Sequence, residues 1–84
     1  MVEHFVADFA RLIASEPDQI EVTRENVDSD FSEITIYANQ QDVGKIIGKD
    51  GNMINSIKTV VSGCKAKDGI SYRILVKPLE ERPK

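Results

Sequence analysis

Hydrophobic residues recur at spacings of three and four along the first thirteen positions of the chain. This stripe predicts an amphipathic helix that lies on a core, and its members are Val2, Phe5, Val6, Phe9, Leu12 and Ile13. Pro17 disfavours helical geometry in the residue before it, so we expect the helix to end within residues 15–18.

The pattern changes to alternation after this point, which is typical of strands with one buried face. Residues 19–24 and 31–38 are predicted as strands on either side of a polar turn at 25–30. The connector that follows contains Asp42, a candidate helix N-cap, and residues 43–47 predict a short helix that ends at Gly48.

Helical spacing returns from Met53 to Cys64 and predicts a second helix that ends near Gly63. A turn at 65–69 and a last strand at 70–77 follow. The element order is therefore α-β-β-α-α-β. A three-stranded sheet with helices packed on one face makes an α+β fold of two layers.

Residues 43–54 read V-G-K-I-I-G-K-D-G-N-M-I and contain the most informative pattern in the chain. Gly48 and Gly51 stand three apart around Lys49 and Asp50, and glycine permits backbone angles that other residues avoid. The unpaired N–H groups that open the next helix would face outward and could hold an anion. A bare G-x-x-G is common by chance, whereas I-I-G-K-x-G-x-x-I is much more specific. The pattern predicts a turn that holds a nucleic-acid backbone; the alternative is an ordinary helix-turn-helix with a glycine turn.

The length of the chain limits the number of domains, and the distribution of charge bears on the kind of partner. The 84 residues allow one small domain, assigned to residues 1–78, with a disordered charged tail at 79–84. The net charge is −3, but residues 1–42 carry ten acidic and two basic residues, while residues 43–84 carry nine basic and four acidic ones. This asymmetry favours a polyanionic partner. An uneven solvated surface is the alternative.

Several classes of function are not expected. No apolar run is long enough to span a membrane, and the N-terminus lacks the features of a signal peptide. The single cysteine fits a reducing cytoplasm. No Ser-His-acid set, metal-ligand spacing or phosphate-binding P-loop is present, so we predict no enzyme, no cofactor and no small-molecule substrate. We assign the three phenylalanines, Phe5, Phe9 and Phe31, to the core, so no aromatic platform for bases is expected.

The element order and the glycine turn together resemble a type II KH domain, in which a GXXG loop clamps about four nucleotides. The resemblance extends over residues 2–77 and is most specific at Asp42–Gly51 and at I-K-T-V-V in residues 57–61. There the chain resembles the small stand-alone bacterial KH proteins of the KhpA family. That resemblance implies a cytoplasmic protein that binds single-stranded RNA as a chaperone or post-transcriptional regulator, with effects on cell shape and division. It also implies pairing with itself or with a larger KH-containing protein, KhpB.

On this resemblance Lys49 and the amides near Gly51 and Asn52 are expected to hold phosphate. Lys45 and Lys58 flank them. Asp50 is interpreted mainly as a residue that shapes the loop. The apolar floor for bases is assigned to Ile46, Ile47 and Ile54, and the far wall to Lys65 and Lys67. The full set of candidate RNA contacts is Gly44, Lys45, Ile46, Ile47, Gly48, Lys49, Asp50, Gly51, Asn52, Ile54, Lys58, Lys65 and Lys67. A module for protein–protein pairing and a helper in ribosome assembly remain alternatives.

Overall fold

The computed structural model describes residues 2–82, and at residues 64–68 it describes the backbone alone. The helices are α1 (Val2–Ile13), α2 (Gln40–Ile47) and α3 (Asn52–Asp68), and the strands are β1 (Glu21–Asp28), β2 (Phe31–Ala38) and β3 (Ser71–Pro78). Short 3-10 turns cover Pro17–Gln19, Lys49–Gly51 and Leu79–Glu81. The predicted order α-β-β-α-α-β is confirmed.

The three strands form one mixed sheet in the order β1-β2-β3. β1 pairs with β2 in antiparallel fashion, with Arg24 opposite Ile34, whereas β2 and β3 are parallel, with Ile34 opposite Ile74. A parallel pair needs a crossover connection, because the chain must return to the same end of the sheet. α2, the glycine turn and α3 form that crossover, so the turn is carried by two helices packed on the sheet.

The core lies between the helices and one face of the sheet. Alternate positions of β2 point to this side, as the period of a strand requires. The buried cluster consists of Val6, Ala10, Ile20, Ile34, Ile36, Ala38, Ile46, Ile57, Val61 and Ile74. The predicted α+β class, with helices packed on one face of a three-stranded sheet, is therefore confirmed.

The segment after β3 crosses the end of the sheet on its way out of the fold. Pro78 pairs with Ala38 at the end of β2, and Arg82 then places its guanidinium 2.7 Å from the carboxylate of Glu21 on β1. β1 and β3 flank β2, so residues between them pass over the end of β2. The disorder expected for 79–84 stays a prediction, and Pro83 and Lys84 lie outside the described residues.

The boundaries of β1, α2 and α3 differ from the sequence prediction because glycine and polar residues were given too much weight. α2 begins at Gln40, three residues before its predicted start. β1 continues to Asp28 through the predicted polar turn, since an edge strand can expose its side chains while its backbone pairs with β2. α3 continues through Gly63 to Asp68, so the predicted turn at 65–69 is wrong. An exposed glycine costs a helix about 1 kcal/mol and does not end it. Gly69, with a φ of 72°, is the left-handed residue that follows the last turn.

The buried stripe of α1 is rotated relative to the prediction. Val6, Ala7 and Ala10 face the core, whereas Leu12 is 86% exposed and Phe5 is 39% exposed. The buried stripe of α1 therefore contains two alanines, and the larger Phe5 and Leu12 lie outside it. The core position predicted for Phe5 is wrong, while Phe9 packs against the core. The core position predicted for Phe31 is wrong as well, because Phe31 lies on the opposite face of the sheet from Ile34, where Arg73 lies over its ring. No helix within residues 2–82 is both long and apolar enough to cross a bilayer.

Candidate nucleic-acid interface

The glycine turn connects α2 to α3 through one 3-10 turn. Gly48 ends α2 by donating its N–H to the Gly44 carbonyl at 2.9 Å. Two N–H groups further along the chain close the turn itself. Gly51 N–H reaches the Gly48 carbonyl at 3.2 Å, and Asn52 N–H reaches the Lys49 carbonyl. The turn is therefore held by its own backbone and not by side chains.

Gly48 is required here by both conformation and space. Its φ is +79°, in the left-handed region that favours glycine. A Cβ at this position would also stand 2.6 Å from the Met53 Cβ and 2.8 Å from the Met53 nitrogen. Gly51 has a φ of +76°, but a Cβ there would meet nothing closer than the Asn55 side chain at 3.9 Å. The main chain at Gly51 is therefore open to solvent.

Asp50 is the one non-glycine residue with positive φ among the described residues, at φ 56° and ψ 25°. Aspartate tolerates this left-handed conformation better than most residues do. The conformation agrees with the role in shaping the loop that the sequence suggested, while the exposed carboxylate remains beside Lys49.

The open backbone N–H groups lie two residues closer to the N-terminus than the sequence predicted. The sequence placed the anion-binding donors near Gly51 and Asn52, but both of these N–H groups are used inside the turn. Within residues 2–82 no acceptor is present for the N–H groups of Lys49 and Asp50. The 3-10 turn in front of α3 uses the N–H groups of Gly51 and Asn52 and leaves those at its own start open, which sequence spacing alone does not reveal.

Three of the five candidate lysines have described side chains. Lys45, Lys49 and Lys58 are exposed, and none of them takes part in an ion pair among the described residues. The Lys45 ammonium instead donates to the Ser15 hydroxyl, so it leans toward the connection after α1. The side chains of Lys65 and Lys67 lie outside the described residues, and their backbone belongs to α3 and not to a turn.

The predicted apolar floor is only partly at the surface. Ile46 is fully buried in the core, so the structure gives it no surface on which a base could lie. Ile47, its neighbour, is 36% exposed, and Ile54 is partly buried against the core. Adjacent helix positions differ by 100°, so Ile47 lies at the edge of α2 when the side that carries Ile46 packs on the core. Gly44 is exposed, and a Cβ there would meet nothing within 4 Å.

Asp42 has a tertiary role that sequence reasoning missed. Its carboxylate is fully buried and accepts the N–H groups of Ser15 at 2.8 Å and Glu16 at 3.0 Å. The Ser15 hydrogen bond is the main cause of a pKa below the usual range for this carboxyl, and it outweighs the opposing effect of burial. Asp42 therefore ties the start of α2, and with it the glycine turn, to the connection after α1.

The N-cap of α2 is Asn39 and not Asp42 as predicted. The side-chain Oδ1 of Asn39 accepts the Asp42 N–H at 2.9 Å, and the side-chain Nδ2 of Asn39 donates back to the Asp42 carboxylate at 3.2 Å. This reciprocal pair differs from a capping box, because the return hydrogen bond comes from the Asn39 side-chain amide and not from its backbone N–H. The spacing N-x-x-D was a signal in the sequence that could have located it.

A G-x-x-G turn that joins two helices of a crossover from a central strand to a parallel edge strand is the architecture of a KH domain, here in the type II order. The family model described as KhpA/KhpB, KH domain, matches residues 3–76. The chain belongs to this KhpA/KhpB family.

Two relatives from Streptococcus pneumoniae agree with that assignment. They come from serotype 4 (strain ATCC BAA-334 / TIGR4) and serotype 2 (strain D39 / NCTC 7466), and both are named RNA-binding protein KhpA. Each is 30% identical to this chain over 60 residues, which cover 71% of this chain and 75% of the relative.

Proposed function

We propose that this protein binds single-stranded RNA and seats the turn from Gly48 to Gly51 against the sugar-phosphate backbone. The observation that carries the proposal is the pair of open N–H groups at Lys49 and Asp50. The glycines on either side leave no side chain over this stretch of main chain. Backbone donors and nearby lysines suit a phosphate oxygen, and the two pneumococcal relatives carry RNA binding in their names.

This arrangement suits a binder that recognises the backbone more than the base sequence. Contacts to phosphate position a strand without reading it. Ile47 and Ile54 offer a small apolar area to bases, and Asp50 reduces the local positive charge. We therefore propose a bacterial RNA chaperone or post-transcriptional regulator that acts in the cytoplasm on many RNAs with modest affinity.

Replacing Lys49 by Gln tests this proposal with the least disturbance of the fold. We expect weaker binding of a labelled single-stranded RNA in fluorescence anisotropy. The slope of log affinity against log salt should fall by about 1, because one phosphate contact is lost. Lys77→Gln is the matched control, since Lys77 lies on β3 on the face of the sheet opposite the helices. Equal behaviour of the two variants would refute the assignment.

Aspartate substitutions at Gly48 and Gly51 are harder to interpret. A side chain at position 48 would collide with the Met53 backbone, so loss of binding there could come from loss of the turn. Gly51→Asp leaves more room and places a negative charge at the open main chain. We expect it to abolish retention of RNA while the circular dichroism spectrum is preserved.

Pairing with a second KH-containing chain is the other candidate, and one observation favours it. Phe5 and Leu12 of α1 and Val60 of α3 are exposed, with Leu12 at 86% and Val60 at 52%. Phe5 and Leu12 are seven residues apart, so they lie on the same side of α1. We propose that this surface pairs with another copy or with the larger KH-containing protein of the family. Leu12→Asp should shift the sedimentation coefficient without loss of RNA binding. Co-purification with and without nuclease would separate this from a role in ribosome assembly.

A further inference from the structure

The Asn55 side chain lies over the open main chain of the glycine turn. Its amide nitrogen is 3.9 Å from the point where a Cβ on Gly51 would stand. Asn55 is exposed, and its carboxamide has no hydrogen-bond partner within the described part of the chain. Asn55 lies about one helical turn after Gly51. It was not among the RNA contacts predicted from the sequence.

The neighbouring hydroxyls on α3 are already occupied. Ser56 donates to the Asn52 carbonyl at 3.1 Å, Thr59 to the Asn55 carbonyl at 2.9 Å and Ser62 to the Lys58 carbonyl at 2.8 Å. Each hydroxyl therefore turns back onto its own helix. The neutral polar groups that this part of α3 leaves open, within the described residues, are the carboxamides of Asn52 and Asn55.

We propose that Asn55 recognises the ribose 2′-hydroxyl and gives the site a preference for RNA over single-stranded DNA. This inference rests on the RNA-binding function proposed above. On this proposal, a phosphate bound by the N–H groups of Lys49 and Asp50 has its attached sugar next to Gly51, where the Asn55 carboxamide lies. The Asn55 carboxamide carries two donors and one acceptor, and a 2′-hydroxyl is both donor and acceptor, so the two groups match.

The chemistry of the residue supports this assignment over a simple electrostatic role. A lysine in this position would add attraction for phosphate and would not distinguish ribose from deoxyribose. A carboxamide adds no net charge, and Asp50 and Lys49 already oppose each other in charge nearby. Asn55 therefore contributes to the discrimination between RNA and DNA and not to the general attraction for nucleic acid.

The test compares a labelled uridine-containing RNA with a DNA of identical bases, including deoxyuridine, so that the 2′-hydroxyl is the only difference. For the native protein we expect RNA to bind about fivefold more tightly, the effect of one hydrogen bond. Asn55→Ala should lose that factor on RNA and leave the affinity for DNA unchanged. Because Asn55 is exposed and alanine is the better helix former, the midpoint of thermal unfolding should not fall.

Gln41→Ala is the matched control, since it removes a carboxamide from an exposed helix position that is not among the candidate RNA contacts. We expect it to leave the ratio of RNA to DNA affinity intact. The inference is overturned if Asn55→Ala lowers both affinities equally or lowers neither. A native protein that binds neither strand would refute the proposed function itself, and a native protein that binds both equally would refute only the role of Asn55.

Discussion

The backbone N–H of Ser15 donates to the buried carboxylate of Asp42 at 2.8 Å, and this hydrogen bond joins two segments that are 27 residues apart in sequence. Glu16 donates to the other oxygen of the same carboxylate at 3.0 Å. Because Asp42 sits in the first turn of α2, the pair fixes the position of the helix that leads into the glycine turn.

Asp42→Asn should destabilise the fold. The substituted amide presents N–H groups where backbone N–H donors already point, so at least one hydrogen bond to the carboxylate is lost and a donor is left buried. We expect a loss of about 2 kcal/mol in the free energy of unfolding, measured by urea denaturation at neutral pH. A variant as stable as the native protein would contradict the anchoring role.

The same pair predicts how stability changes with pH. The pKa of Asp42 is lowered in the folded state from its ordinary value of 3.8, so the folded protein holds the proton less tightly than the unfolded chain does. The stabilising effect is therefore complete above the ordinary pKa and is lost as pH falls through the lowered one. The difference in stability between native protein and Asp42→Asn should be constant above about pH 5 and shrink below about pH 4. A constant difference down to low pH would contradict this assignment.

Alanine substitutions should separate the two glycines of the turn. Gly48→Ala imposes a positive φ on a residue with a Cβ and also a contact of 2.6 Å to Met53, so we expect a loss of more than about 2 kcal/mol. Gly51→Ala has the strained φ but open space, so a loss of about 1 kcal/mol is expected. Thermal unfolding of the two variants measures the order, and the opposite order would show that the packing at Met53 is not limiting.

Asp50→Asn should increase RNA affinity without changing stability. Asparagine also tolerates the left-handed conformation, so the turn is preserved while one negative charge is removed beside the path of the phosphate. A unit charge about 4 Å from a phosphate in water is worth about 1 kcal/mol, which corresponds to about fivefold in affinity. Glu25→Gln on β1 is the matched control and should leave anisotropy titrations unchanged. Unchanged binding by Asp50→Asn would place the RNA away from this carboxylate.

Gly44 and Gly63 allow a test of whether the surface of α2 is part of the site. Both lie in helices, and a Cβ would meet nothing within 4 Å at either position. Each alanine substitution should therefore stabilise the protein by about 0.5–1 kcal/mol. We expect only Gly44→Ala to weaken RNA binding, because a methyl group there stands on the proposed path of the strand. Equal RNA affinity for both variants would remove Gly44 from the interface.

The parts of the fold that follow from local chemistry could be predicted from the sequence. β2 was predicted with the correct limits, because its alternating residues Ile34, Ile36 and Ala38 report directly on burial. The glycine turn could be predicted because backbone positions with a positive φ favour glycine. The order of the helices around it followed from hydrophobic periodicity, and the resemblance to KH proteins was based on that order.

Features set by tertiary contacts could not be predicted in this way. Nothing local distinguishes Ile46 from Ile47, yet one is buried and the other is exposed, because the choice depends on how α2 rests on the sheet. Asp42 had the properties of a cap, and its real partners lie in a segment that only folding brings near. The open amides depended on the exact hydrogen bonding of the turn.

The parallel pairing of β2 and β3 has a consequence for how the proposed RNA site forms during folding. Ile34 and Ile74 become neighbours only after the intervening crossover has been synthesised and packed. Contacts this distant in sequence form late, since the entropy of closing a long loop is lost before the stabilising contacts form. An excised peptide that carries only the helix pair and its turn should therefore lack a defined binding surface, and on the ribosome that surface should mature only once the last strand has emerged.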